Sequence, residues 1–307
     1  MKRSEVRKNK KKRWYKIPLI VLSVLVLIGG VWLLSIYNKA KTTVNEKMYQ
    51  EVGSIDKAVS KKKVKDKEQL NVLIMGIDVS EGDSGRSDSM MVATLNPQED
   101  SMKLISIPRD TRTEIVGKGF DDKINHAYSF GKEDMAIATV ENFLDIEIDY
   151  HISLNMTGLQ MLIDELGGVT VNSELAWQDG NYTFEKGPTE LDGKKALAYV
   201  RMRKEDPSGD FGRAKRQRQV VEAMIKEGAS IGSVNKIGSI IDILGDDNLK
   251  TSADFDDVKR LFTGYSGVRK NIENYQVQGQ GQMIDGIYYY VVSEEERQNV
   301  HQMIMNN

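Results

Sequence analysis

Between two apolar runs the chain reads "GIDVSEGDSGRSDSMM", residues 76–91, which carries Asp78, Arg86 and Asp88. A turn needs the glycines and serines but not this charge set. Two carboxylates with no nitrogen or sulfur donor suit a hard cation such as Mg²⁺, with Mn²⁺ the alternative. Asp78 falls at the end of a strand, where open α/β sheets bind ligands. Arg86 and Asp88 lie two apart and share a face if the next strand is regular. No Gly-Lys-Ser/Thr follows, so this is not a nucleotide phosphate loop. Taken alone, the segment is better explained as a solvated hairpin closed by Gly82, Asp83, Ser84 and Gly85.

Two further segments are rich in arginine. "SIPRDT" places Arg109 at the end of a strand, where a neighbouring aspartate makes a local ion pair of little weight the simplest reading. "YVRMRKEDPSGDFGRAKRQRQ" is denser. Arg201 and Arg203 alternate by two. Arg213 and Gln217 lie four apart on the helical side of Val221 and Met224, so Arg213 needs a buried or ligand partner. The spacing leaves Arg216 and Arg218 open between a water-facing side of the helix and the site, and Asp210 is expected to cap the helix. Lysine dominates the first 69 residues, whereas these segments favour arginine, whose fork matches phosphate oxygens bidentately. Several arginines beside a carboxylate-bound Mg²⁺ would complement a pyrophosphate.

The elements that must position these residues follow from periodicity. "LNVLIMGI", "MMVATLN" and "KLISI" are short apolar runs bounded by turn residues and are expected to be strands. "MAIATVENFL" has helical spacing, "YHISLN" reads as a strand, and "MTGLQMLIDELGG" as a helix stopped by Gly167 and Gly168. A strand "VTVN", a short helix "LDGKKALAYVRMR" and a long helix from Asp210 come next. Helices near 234–245 and 254–268, strands "NYQVQG" and "GIYYYVV", and a helix from Ser293 complete the pattern. This interleaving predicts a single α/β domain with a central mixed sheet covered by helices on both faces.

Upstream, residues 1–16 carry nine Lys/Arg and one acid, leaving 34 basic and 44 acidic residues in the remainder, or −10. Ile17–Tyr37 holds 21 residues without a charge, enough for a helix to cross a bilayer. The basic flank keeps the N-terminus cytoplasmic and puts the remainder outside. A cleaved signal peptide shares the basic start, but its apolar core is shorter, about 7–15 residues, so an uncleaved transmembrane anchor is expected. Residues 38–69, polar and lysine-rich, read as a stalk, and 70–307 as the extracytoplasmic domain. The absence of cysteine excludes disulfides and thiol chemistry, and His126, His151 and His301 lack metal-ligand spacing. Nucleic acid is not an expected partner for an outward-facing, acidic domain.

Five ordered motifs, "NVLIMGID…GRSDSMM", "ISIPRDT", "KINHAY", "LDGKKALAYVRMR" and "GDFGRAKRQRQVV", make the chain resemble the LytR-CpsA-Psr (LCP) family of Gram-positive bacteria. The resemblance runs from about Leu70 to at least Glu227. It implies a phosphotransferase at the outer membrane surface, working with Mg²⁺. The implied donor is an anionic glycopolymer such as wall teichoic acid, linked through pyrophosphate to a polyprenyl lipid. The implied acceptor is the C6 hydroxyl of peptidoglycan muramic acid, and wall-synthesis machinery is an implied partner. Asp78 and Asp88 match the family's metal-binding aspartates. Arg86, Arg109, Arg201, Arg203 and Arg213, with Gln217 beside them, match its pyrophosphate-binding residues. The implied catalytic set is Asp78, Asp88, Arg109 and Arg203, with Asp78 or Asp88 the general base, and Asp210 matches a further motif acid. A lipid tail needs an apolar cleft, for which the domain's methionines and leucines are candidates unless they form the core. A hydrolase of the same pyrophosphate, or a non-catalytic polymer-binding module, would use the same residues.

Overall fold

The computed structural model describes residues 34–78, 85–228, 234–245 and 247–307. The basic tail, most of the expected anchor, and Gly82, Asp83 and Ser84 of the expected hairpin lie outside the described residues. Among those described, no helix is long and apolar enough to cross a membrane.

In chain order, α1 (Lys57–Asp66) leads into β1 (Leu70–Asp78), β2 (Arg86–Asn96) and β3 (Ser101–Ser106). The short strands β4 (Arg112–Glu114) and β5 (Asp121–Lys123) precede α2 (His126–Leu144), β6 (Tyr150–Asn155) and α3 (Met156–Leu166). A side layer follows, of β7 (Val169–Ser173), β8 (Trp177–Asp179), β9 (Tyr182–Phe184), β10 (Gly187–Leu191) and α4 (Gly193–Arg201). The chain continues through α5 (Asp210–Gly228), α6 (Val234–Leu244), β11 (Leu249–Thr251) and α7 (Phe255–Gly264). It ends with β12 (Asn271–Gln276), the hairpin strands β13 (Gln280–Ile284) and β14 (Ile287–Val291), and α8 (Glu294–Met305).

The central sheet has six strands in the order β11-β6-β1-β2-β3-β12. It is mixed: β6 runs parallel to β1 and β12 to β3, while β2 and β11 are antiparallel to their neighbours. The ends of β1, β3, β6 and β12 and the start of β2 therefore share one edge, where the charged motifs gather. Both faces are covered, which is why β1 is apolar almost throughout. On one face Leu73, Met75, Met90 and Ile105 pack under Ile137 and Phe143 of α2 and Val300 of α8. On the other, Leu70, Val72 and Leu104 meet Val64 of α1, Val221 and Ile225 of α5, and Leu261 of α7. Met75, Met90 and Met91 are fully buried core residues, each worth roughly 1.5–3 kcal/mol of burial. Of the three, Met90 also reaches the wall of the cleft described below.

The expected stalk is instead part of the fold. Residues 34–43 are helical, and Val44, Met48, Val52, Ile55 and Val64 are buried against the domain. Tyr49 bridges to Thr251, and the Gln50 amide donates to the Thr251 carbonyl at 2.8 Å. Lysine density hid a sparse apolar series: the buried positions 44, 48, 52 and 55 are too few to raise the mean hydropathy of the segment. α1 likewise buries one narrow stripe, Ser60 and Val64, and leaves its lysines at the surface except Lys63, which reaches the buried Asp149 at 2.8 Å.

His151 of β6 is wholly buried, and neither ring nitrogen has a hydrogen-bond partner among the described residues. Burial pushes its pKa down to about 4 from 6.5, against the weaker pull of Glu133 and Asp134. As pH falls from 6.5 towards 4 the unfolded chain takes up the proton first, so stability drops with pH across that window. The shift corresponds to about 3 kcal/mol. Denaturant melts of the native chain and His151→Leu at pH 7 and pH 4.5 should show the native chain losing more. Equal losses would show that His151 does not carry this dependence.

Candidate functional site

The cluster at the strand ends starts with a register defect. Gly76 pairs with Ser89 and Ile77 with Ser87, leaving Asp88 as the extra residue of a β-bulge. The regular alternation expected for Arg86 and Asp88 is therefore broken, and the bulge re-aims Asp88. Arg86 pairs in register with Asp78 at the open end of the hairpin, Arg86 exposed and Asp78 half-buried. Gly85 precedes it at φ 76°, a left-handed conformation that suits glycine.

Arg109 lies three residues beyond β3 and bridges two carboxylates. Its NH1 donates to Asp88 Oδ1 at 2.7 Å and its Nε to Asp210 Oδ2 at 3.2 Å. This is more than the isolated local pair expected from "PRDT". Asp110 lies 3.7 Å from Arg109 Nε and is held by Lys123 at 2.8 Å. Asp210 opens α5, where the helix dipole favours a carboxylate. It also accepts from Arg213 NH2 at 3.3 Å, and Arg203 NH1 is 3.5 Å from its other oxygen. Asp210 is thus the hub of three arginines.

Desolvation opposes the charge of Arg109, but Asp88, Asp210 and Asp110 outweigh it and raise its pKa. Arg213 goes the other way: burial first, then the charge of Arg109, lowers its pKa. At Arg213, then, positive charge is disfavoured by burial and by a like neighbour, and an added anion would offset both.

A cleft of about 40 Å³ opens beside this network, lined by Asp88, Arg109, Asp210, Arg213 and Gln217 and walled by Phe211, Tyr288 and Tyr290. It has room for a few waters. Past Phe211 and Gln276 lies a second cleft of about 270 Å³, against Trp177, Lys215 and Gln219. Beneath the first, Ser106 and Gln276 stand opposite each other in the β3–β12 pairing. Arg218 donates to Gln276 Oε1 at 3.1 Å. Arg218 Nε, Gln276 Nε2 and Ser106 Oγ have no partner among the described residues. Burial, with no acid to offset it, lowers the Arg218 pKa to about 10.

Arg216 and Arg218, whose facing the spacing left open, are both buried. Arg216 donates to Asp206 at 2.5 Å and to the carbonyls of Tyr199 and Met202 at 3.1 and 2.5 Å, and its guanidinium stacks over Trp177. It fixes the 202–209 connection that carries Arg203.

The fold therefore brings Asp88, Arg109, Arg203, Asp210, Arg213 and Gln217 together. Asp78 and Arg86 flank them at the hairpin mouth. Arg201 is exposed at the end of α4, and no described ion pair joins these last three to the cluster. Sequence reasoning missed Arg218, Gln276 and Ser106 at the floor, and Tyr288 and Tyr290 at the wall. The tyrosines come from "GIYYYVV", whose aromatic and β-branched run signals a strand but not which edge it meets.

Asp78 and Asp88 offer oxygen donors only, and Arg109 engages one oxygen of Asp88, which leaves the other available. Among the described residues no three acids or histidines cluster as ligands. Two carboxylates with water and substrate oxygens are a normal Mg²⁺ environment, so the residues fit such an ion.

Several known proteins are similar to this chain. Polyisoprenyl-teichoic acid–peptidoglycan teichoic acid transferase TagU of Bacillus licheniformis is 43% identical over 298 residues, 97% of this chain and 96% of that protein. The crystal structure of Bacillus subtilis TagU superposes with a TM-score of 0.64 at 41% identity, covering 78% of this chain and 96% of that one. TagT bound to LIIa-WTA superposes with a TM-score of 0.67 at 34% identity, covering 78% and 90%. Residues 33–306, which include every residue of the cluster and the packed segment before β1, match the LytR_cpsA_psr model, and the chain belongs to the LytR_cpsA_psr family.

Proposed function

We propose that the chain is a membrane-anchored teichoic acid transferase of the cell wall. It would move an anionic glycopolymer from a polyprenyl pyrophosphate carrier to the C6 hydroxyl of peptidoglycan muramic acid. Residues 17–37 would anchor it, with the N-terminus cytoplasmic and the domain outside. The names of the similar transferases support the reaction class. The observation that carries the reading is the cationic cleft: Arg109, Arg203 and Arg213 held on one aspartate, with Arg218, which has no acid partner among the described residues, buried beneath.

Phosphoryl transfer depends mainly on positioning and charge neutralisation. Arg109, Arg203 and Arg213 would exchange Asp210 for phosphate oxygens as the donor enters, with Arg86 and Arg201 closing from the rim and Gln217 donating from α5. Arg218, through Gln276, would add positive potential from below. Asp78 and Asp88 would hold Mg²⁺ or Mn²⁺, which when bound supplies positive charge to the pyrophosphate oxygens. The acceptor hydroxyl attacks the sugar-side phosphorus, Asp78 or Asp88 takes its proton, and the bond to the bridging oxygen breaks to release polyprenyl phosphate.

The test is the full chain in proteoliposomes with lipid-linked donor, peptidoglycan oligomers and Mg²⁺. A phosphodiester at muramic acid C6 is the expected product. Free polymer phosphate, formed equally without peptidoglycan, would identify a hydrolase instead. Full activity in Asp88→Ala and Arg201→Ala cells would identify a non-catalytic module.

A further inference from the structure

The outer face of α7 and α1 meets the end of the apolar run Ile17–Tyr37. Leu34 and Tyr37, the last apolar residues of that run on the described helix, are 62% and 43% exposed. The Tyr37 ring stands edge-on to Phe255, centroids 5.1 Å apart, and Phe255 opens α7. Four residues apart on the outward side of α7, Val258 is 38% and Phe262 65% exposed. α1 packs alongside α7 and exposes Val59 as well. Lys62, Lys65, Lys259 and Arg260 stand exposed on the same two helices, Lys62 beside Asp66 and Lys259 beside Asp256. An amphipathic helix with exposed phenylalanine and valine flanked by charged side chains that include lysine and arginine is the pattern of a surface that lies in a lipid interface.

We infer that the α7–α1 face docks on the bilayer surface, with Val258 and Phe262 in the headgroup–acyl boundary. The occupant is lipid because the patch is continuous with the expected anchor: a single ring contact separates that run from α7. Tyrosine is a side chain that the interface favours at the end of a span. Packing of Val44, Met48, Val52, Ile55 and Val64 against the domain removes the stalk that would have held it away from the membrane. This inference rests on the anchored reading above. It adds that the domain is held in one orientation, and that α7 shares a core layer with α5, whose first turn carries Asp210 and Arg213.

The chain has no cysteine, so single labels are unambiguous. Phe262→Cys, Val258→Cys and, as a control in the β8–β9 hairpin, Thr183→Cys would each carry an environment-sensitive fluorophore on the full chain. The chain would be reconstituted in phosphatidylglycerol vesicles containing lipids spin-labelled near the headgroup. Quenching at 262 and 258 at least threefold stronger than at 183 is expected. Co-flotation with vesicles but equal quenching at all three sites overturns the docking face and leaves the anchor standing. Failure to co-float removes the anchored reading and this one together. Label-to-label self-quenching at 262 that grows with protein-to-lipid ratio would show that a second copy covers the face, and would overturn docking on lipid.

Discussion

Arg109→Ala is expected to lower polymer transfer by about 10²–10³-fold, the usual effect of removing one preorganised donor from a charge-stabilising site. Arg109 joins the bulged Asp88 to Asp210 through two nitrogens of one fork, so its loss changes two carboxylates at once. Asp210 would keep Arg203 and Arg213, but Asp88 would lose its cation and rest differently on the hairpin. Arg109→Lys restores the charge and cannot reach both aspartates in that geometry, so it should recover less than a tenth of the native rate. The loss should fall on kcat more than on KM if the guanidinium meets charge that grows in the transition state. A thermal melt within about 3 °C of the native chain, roughly 1 kcal/mol for a domain of this size, would show that the fold is intact. An alanine variant that transfers polymer within threefold of native would remove Arg109 from the catalytic set.

Arg109, Arg203 and Arg213 were legible because arginine was concentrated where lysine could have served. In Arg213 the helical spacing also put a charge on an apolar face. Asp88 stood out as a charge that a turn does not need, but its placement was not legible, since a bulge is a mismatch between two strands and leaves no mark in either one. Arg216 and Arg218 stayed ambiguous for a related reason. Their neighbours in "AKRQRQ" are polar, and only Asp206, Gln276 and Trp177, distant in sequence and contributed by other elements, make those positions interior. The sheet was easier. Long apolar runs and paired stop signals such as Gly167 and Gly168 are local, whereas three-residue strands such as β4, β8 and β11 carry too few positions for a period. The packed 38–69 segment was missed because composition averages over residues, while docking needs only a few apolar side chains at the right spacing.

Arg216→Ala is expected to destabilise the domain by about 3–5 kcal/mol, the usual effect of breaking a buried ion pair from one side. That corresponds to a fall in Tm of roughly 10 °C or more for a domain of this size. Both partners are almost fully buried, and Arg216 also satisfies the last carbonyls of α4, so the change strands one carboxylate and two acceptors. Burial alone would raise the Asp206 pKa, but the Arg216 bond, aided by the Ser208 amide, turns the shift downward. Its contribution is therefore present above the ordinary carboxylate pKa and is lost as pH falls through the lowered one, and in Arg216→Met that sign should reverse. Gly212→Ala attacks the same pair without touching either charge, because an added Cβ would run into the Asp206 carboxylate. If the pair is what holds the 202–209 connection, Gly212→Ala and Arg216→Ala should both raise KM for the lipid-linked donor at temperatures where each is still folded, since Arg203 rides on that connection. Arg216→Met melting within 1 kcal/mol of native, with KM unchanged, would mean that the connection is held by Trp177 packing and not by the ion pair.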